Sequence, residues 1–83
     1  MATISVKVLA SYPNMGNIKI NDRPQALEDE ITCDIGDTVR LEAIVLNEQY
    51  VDFRQWSDSN YDKVRNIVVT GDLSLSAHFE SNV

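Results

Sequence analysis

The chain has little of the residue types from which many catalytic and metal sites are built. Its 83 residues include one cysteine, Cys33, one histidine, His78, and three glycines. A single cysteine cannot form an internal disulfide and offers no metal-ligand spacing. Three glycines, at positions 16, 36 and 71, are too scattered to form a phosphate-binding loop. We therefore expect no disulfide, metal site or cofactor.

Basic residues and long apolar runs are also scarce. Seven Lys and Arg face 13 Asp and Glu, which gives a net charge of −6. Such a charge repels phosphate backbones and anionic headgroups, so neither nucleic acid nor membrane is an expected partner. No apolar run reaches the length of a membrane span, and the N-terminus lacks the apolar core of a signal peptide. We predict one small domain over residues 1–83, with too little core to enclose a deep active site.

Hydrophobic residues that are present recur every second position, which is typical of strands with one wet face. The alternation is clearest at 3–10, 31–35, 39–43 and 73–79, separated by turn signals at 21–24, 36–37, 57–62 and 71–72. The run at 44–46 breaks the alternation and predicts a bulge or a strand covered on both faces. We predict a mainly β protein with a small antiparallel sheet. Only residues 24–30, PQALEDE, could form a short helical turn.

The segment WSDSNYD, residues 56–62, concentrates polar side chains beside the lone tryptophan. Asp58, Asn60 and Asp62 echo the first ligands of an EF-hand loop. However, position 6 of such a loop would be Lys63 instead of glycine, and position 12 would be Val69 instead of glutamate. We therefore predict a connection whose side chains bond their own backbone.

Other catalytic pairings are weak. The alternation places Cys33 on an inward face, with Ile31 and Ile35, and His78 on an outward face, so these two residues should lie on opposite sides of the sheet. The acidic residues at 28–30 have no apolar neighbours that would raise a pKa for acid catalysis. The sequence therefore predicts a protein that is not an enzyme.

Aromatic and thioether side chains near turns are the remaining candidates for function. We predict that Tyr12, Met15, Tyr50 and Tyr61 contact a protein partner, because large side chains with a polar tip are common interface anchors. The alternative is that these side chains cover the ends of the small core.

The C-terminal half resembles the divergent internalin B-repeat family in four segments: GDTVRLEA at 36–43, FRQWSD at 53–58, RNIVVTGD at 65–72 and LSLSAHF at 73–79. The resemblance implies a β-grasp-like module with no chemistry of its own. It also implies a hairpin turn at Gly71 and Asp72, a plain connection after Trp56, and a set of core residues comprising Phe53, Trp56, Leu75, Ala77 and Phe79.

Modules of that family are usually spacers or weak protein-binding units of bacterial surface proteins. A short acidic chain with its own Met1 and a free cysteine instead favours a small structural protein used in many copies. Our leading hypothesis is an auxiliary or decoration protein of a bacteriophage particle, assembled in the bacterial cytoplasm and bound to a repeated coat protein. The alternatives are an excised adhesin or spacer module at the bacterial cell surface, and a carbohydrate-binding module.

Overall fold

The residues that the structure describes form seven strands in two sheets. A computed structural model describes residues 1–10 and 15–82. A four-stranded sheet has the order β3-β1-β7-β5, and a three-stranded sheet has the order β2-β4-β6. The strands are β1 (Ala2–Ala10), β2 (Gly16–Ile20), β3 (Glu28–Cys33), β4 (Thr38–Val45), β5 (Val51–Trp56), β6 (Val64–Val68) and β7 (Leu73–Ser81).

The core lies between the two sheets and follows the alternation. On the four-stranded sheet, Ile4 pairs with Ile31 and Leu73, and Val6 with Leu75, so these side chains share the inner face. Ile18, Ile20 and Leu41 of the three-stranded sheet oppose them and have no exposed surface. In the described part of the chain, all fifteen buried hydrophobic residues belong to one cluster. Among them are four of the five core residues that the resemblance implies, Trp56, Leu75, Ala77 and Phe79, and partly buried Phe53 packs against the same cluster.

Successive strands never pair with each other among the described residues. Odd-numbered strands form the four-stranded sheet and even-numbered strands form the three-stranded sheet, so every connection crosses from one sheet to the other. The four-stranded sheet has a parallel pair, β1 with β7, at its centre. The mainly β fold is confirmed, but the antiparallel sheet we predicted is two sheets, of which one is mixed.

The helical turn predicted at residues 24–30 does not form. Ala26 instead exchanges two backbone hydrogen bonds with Ile18 of β2, and the Leu27 carbonyl accepts one from Val8 of β1. This extended segment links both sheets along one side of the sandwich, and β3 begins at Glu28. Pairing with existing strands satisfies these backbone groups, whereas a helix of seven residues would be marginal in water. No helix occurs in the described residues, so the helix on which a β-grasp sheet packs is missing there.

Two local predictions also need correction, and one of the two alternatives at 44–46 is excluded. Gly71 and Asp72 connect strands of different sheets and are not a hairpin turn. Ile35 lies beyond the end of β3, in a turn where it is exposed. The bulge considered at 44–46 is absent from the pairing of β4, and a bulge lies instead in β5, between Phe53 and Gln55. The other alternative, coverage on both faces, fits Ile44 and Val45, which are both partly buried.

Candidate functional site

The lone tryptophan anchors the connection between β5 and β6. Trp56 has no exposed surface, and its indole N–H donates a 2.7 Å hydrogen bond to the carbonyl of Asp62. The Trp56 backbone N–H donates to the carbonyl of Asn60, and the Ser59 N–H donates to the carbonyl of Trp56. Ser59 takes φ +72°, in the left-handed region, to close this turn. The indole is therefore part of the scaffold.

Three of the six polar side chains of residues 57–62 bond to backbone groups. Asp58 Oδ1 accepts from the N–H of Asn60, and Asn60 Oδ1 accepts from the N–H of Asp62 at 2.8 Å. Ser57 Oγ accepts from the N–H of Ser76 at 3.0 Å, which fastens the connection to β7. The prediction that side chains of this connection bond its own backbone is confirmed for Asp58 and Asn60.

Asp58 also forms an ion pair with Arg65 of the same chain. The guanidinium of Arg65 donates a 2.9 Å hydrogen bond to Asp58 Oδ1. This hydrogen bond is the largest cause that lowers the pKa of Asp58, and partial burial opposes it. A protonated guanidinium thus occupies the position beside the carboxylate that a calcium ion would need. Within residues 1–10 and 15–82, no group of three or more His, Cys, Asp and Glu side chains is arranged to hold a metal.

Cys33 and His78 lie on opposite faces of the four-stranded sheet. Cys33 pairs with Ala2, a buried residue of the inner face. His78 pairs with Leu9 and Gln55 and follows the buried Ala77 in β7. Because successive side chains of a strand point to opposite faces, the His78 side chain lies on the outer face. The predicted separation is confirmed, and a thiol and a base on opposite faces of a sheet cannot act as a nucleophilic pair.

The acidic residues at 28–30 lie on an edge strand, β3. Arg23 donates two hydrogen bonds to the carboxylate of Asp29, at 2.6 and 3.1 Å. The hydrogen bonding from Arg23 is the largest cause that lowers the pKa of Asp29. A general acid needs the opposite shift, towards a higher pKa. Glu30 Oε1 accepts from the hydroxyl of Ser5.

The four predicted partner-contacting residues have different environments. Tyr50 and Tyr61 are 48% and 73% exposed, and no described residue bonds to either hydroxyl. Met15 is only 4% exposed and belongs to the core, so it has little surface left for a partner, contrary to the expectation. Tyr12 lies outside the described residues.

Tyr61 borders an open groove beside β5. The groove has a volume of about 560 Å³ and is lined by Asp52, Phe53, Arg54, Gln55, Tyr61 and Lys63. We call it the β5 groove. Phe53 is one of its lining residues, and the Phe53 ring makes edge-to-face contacts with Trp56 and Phe79, both with ring centroids 5.6 Å apart. The β5 groove is therefore lined by two aromatic residues, Phe53 and Tyr61, together with charged residues.

Sequence reasoning missed the charged lining of this groove. The alternation analysis assigned no face to Asp52, Arg54 or Lys63, and only the fold brings Lys63 beside β5. Arg54 also forms an exposed ion pair with Glu80, at 3.4 Å. The bulge next to Phe53 has no recognisable turn residue, so nothing in the sequence marked this position.

No helix in the described residues is long and apolar enough to cross a membrane. The resemblance to internalin B repeats remains a prediction from the sequence. Comparison of the chain with protein-family models, with curated proteins and with solved structures found no significant match.

Proposed function

We propose that this protein is a non-catalytic structural module that binds a protein partner through the side of the molecule bearing Tyr61 and the β5 groove. The specific form of the proposal is an auxiliary or decoration protein of a bacteriophage particle. Its partner would be a repeated coat or assembly protein, and its location the virion after assembly in the bacterial cytoplasm.

The exposure of Tyr61 is the observation that carries the proposal. A tyrosine that is 73% exposed, in a protein this small, leaves uncovered apolar area that could have joined the core. Tyr61 lines a groove together with Phe53 and with charged residues of both signs. Interface hot spots favour such an arrangement, with an aromatic anchor surrounded by polar groups. Tyr50, at the start of β5, adds a second exposed ring near the same strand.

The way the polar groups are used supports binding in preference to a reaction. The carboxylates of Asp58 and Asp29 are each engaged by an arginine, and both have lowered pKa values. Cys33 and His78 are on opposite faces of their sheet. The β5 groove is open, and a site that binds by a few rim contacts is weak when alone. Weak contacts suffice on a lattice of identical sites, because linked sites raise the effective concentration.

Co-sedimentation with the particles of the source culture tests this proposal. We expect the purified protein to pellet with the particle fraction and its peptides to appear in a peptide map of purified particles. Tyr61→Ala should reduce the pelleted fraction at least about tenfold, the size of effect that defines an interface anchor. Its melting temperature should fall by less than about 4 °C, because the ring contributes little to the core.

Leu27→Ala is a matched control, since Leu27 is 61% exposed but lies by the opposite edge strand, β3. It should pellet like the native protein. The proposal fails if the native protein neither pellets with particles nor appears in their peptide map. Binding to a glycan array that Tyr61→Ala abolishes, without any particle binding, would instead support a carbohydrate-binding module.

A further inference from the structure

The two sheets have four edge strands, and three of these edges are protected. The outward backbone groups of Ile18 in β2 bond to Ala26. In β3, the residues whose backbone groups point away from β1 include Glu28 and Glu30, which are both charged. The Glu30 N–H donates a hydrogen bond to the side chain of Asp29. Such coverage and charge are the usual ways in which natural sheets prevent unwanted pairing.

The β5 edge is protected by its connections and its bulge. At one end the Val51 N–H donates to the carbonyl of Asn47, and at the other end the Trp56 N–H donates to the carbonyl of Asn60. Between them the bulge at Arg54 breaks the regular spacing that a new strand would need.

Within residues 1–10 and 15–82, nothing protects the β6 edge in these ways. The backbone bonds from Ala43 to Lys63, and between Val69 and the 36–37 turn, show that odd-numbered residues of this segment face β4. Because the bonding direction alternates along a strand, Val64, Asn66 and Val68 direct their N–H and C=O groups away from β4. No described residue bonds to these groups. Their side chains lie on the outer face, where Val64 is 46% and Val68 is 61% exposed.

We propose that two copies of this chain pair through β6, antiparallel, about a two-fold axis at Asn66. In this register Val64 meets Val68 of the second copy, and Asn66 meets its own equivalent. The free N–H and C=O groups then form three pairs that each exchange two hydrogen bonds. Two three-stranded sheets become one continuous six-stranded sheet, and the exposed valines cover each other across the seam.

The charges of the segment permit this approach in an acidic protein. Residues 63–71, KVRNIVVTG, contain no carboxylate, although the chain carries 13. In the two-fold register Lys63 meets Val69 and Arg65 meets Ile67, so no like charges oppose each other across the strands. Arg65 is also held by Asp58 of its own copy. An edge of five residues is smaller than a standard interface, so we expect a weak dimer that dissociates on dilution.

Cysteine cross-linking tests the register, in a Cys33→Ser background that removes the native thiol. Asn66→Cys should form a disulfide-linked dimer on mild oxidation, because residues paired in this way have Cα atoms about 5.5 Å apart, within disulfide range. Val64→Cys alone should not, since its equivalent lies about 14 Å away. Val64→Cys combined with Val68→Cys should cross-link again. Equal cross-linking of Asn66→Cys and Val64→Cys would overturn the register.

The native sequence provides a second test. Sedimentation velocity from about 10 µM to about 1 mM should show a shift from monomer to dimer. Over the same range, hydrogen exchange at Val64, Asn66 and Val68 should slow, while exchange at Arg65 and Ile67, which already bond to β4, should not change. Val68→Lys should weaken association at least about tenfold. Leu27→Lys, a change at equal exposure on another edge, should not.

The proposal is overturned if the protein stays monomeric at about 1 mM with rapid exchange at those three amides. It is also overturned if the Leu27→Lys and Val68→Lys variants dissociate equally. Both tests use only this chain, so their outcome is independent of whether the protein binds a particle.

Discussion

Replacing each of the three glycines by alanine separates steric crowding from backbone strain. At Gly16, a Cβ would lie 2.5 Å from two ring atoms of Phe79 and 2.8 Å from the carbonyl oxygen of Ile44. At Gly36 the space is open but φ is +99°, a conformation that alanine disfavours. At Gly71 the space around a Cβ is open and φ is not positive, so alanine can adopt the same backbone conformation. The three substitutions therefore have the same chemistry and different physical consequences.

The expected magnitudes follow from these surroundings. Gly16→Ala forces the buried Phe79 ring or the β4 backbone to move, and such overpacking typically costs about 1–3 kcal/mol. Gly36→Ala should cost about 1–2 kcal/mol, the usual penalty for a left-handed residue with a Cβ. Gly71→Ala should be neutral or stabilise by about 0.4–1 kcal/mol, since alanine lowers the entropy of the unfolded chain. In a domain of this size 1 kcal/mol shifts the melting temperature by about 4–8 °C.

Urea unfolding followed by far-UV circular dichroism measures all three variants. The double variant Gly16→Ala with Phe79→Leu identifies the clash, because a smaller side chain at 79 makes room for the new methyl group. We expect the cost of Gly16→Ala to be smaller in that background than in the native one. If Gly16→Ala is as stable as Gly71→Ala, then β2 does not pack closely against the ring of Phe79.

Two further predictions concern the connection between β5 and β6. Trp56→Phe removes the indole N–H that bonds to Asp62 and leaves a smaller ring in the core, so it should cost about 2 kcal/mol in urea unfolding. Native stability in that variant would contradict a scaffold role for the indole. Asp58 has a lowered pKa in the folded state, so its stabilising effect is present above the unfolded pKa of about 3.9 and is lost as pH falls through the folded pKa. The difference in unfolding free energy between the native protein and Asp58→Asn should therefore narrow between about pH 5 and about pH 2, and a constant difference would exclude the ion pair with Arg65.

The sequence predicted which side chains point towards the core better than it predicted which strands pair with each other. A period of two tells which side chains point inward, and it correctly placed Val39, Leu41 and Ala43 of β4 and Leu75, Ala77 and Phe79 of β7. It does not tell which strand lies alongside. Turn residues such as Gly71 and Asp72 are equally suited to a hairpin and to a crossing between sheets, because both need only a sharp change of direction. The pairing order is decided by contacts far apart in the chain.

The candidate site was predictable only in part. Local chemistry determined the role of residues 57–62, since short polar side chains bond nearby backbone groups whatever the tertiary fold. The exposure of Tyr61 against the burial of Met15 depended on packing that no local pattern encodes. The open edge of β6 was also hidden, because an edge is defined by a partner that is missing on one side.

The parallel pairing of β1 with β7 affects how the chain acquires its structure during synthesis on the ribosome. Residues 2–10 and 73–81 lie side by side in the middle of their sheet, with β3 and β5 outside them. Until the last strand leaves the exit tunnel, the sheet consists of a β1–β3 pair and a separate β5, so cooperative folding of this sheet must wait for β7 to be synthesised and released. A chain cut between residues 71 and 72 should therefore remain unfolded by itself. A synthetic peptide of residues 72–83 supplied in trans would restore the fold by occupying the vacant central position.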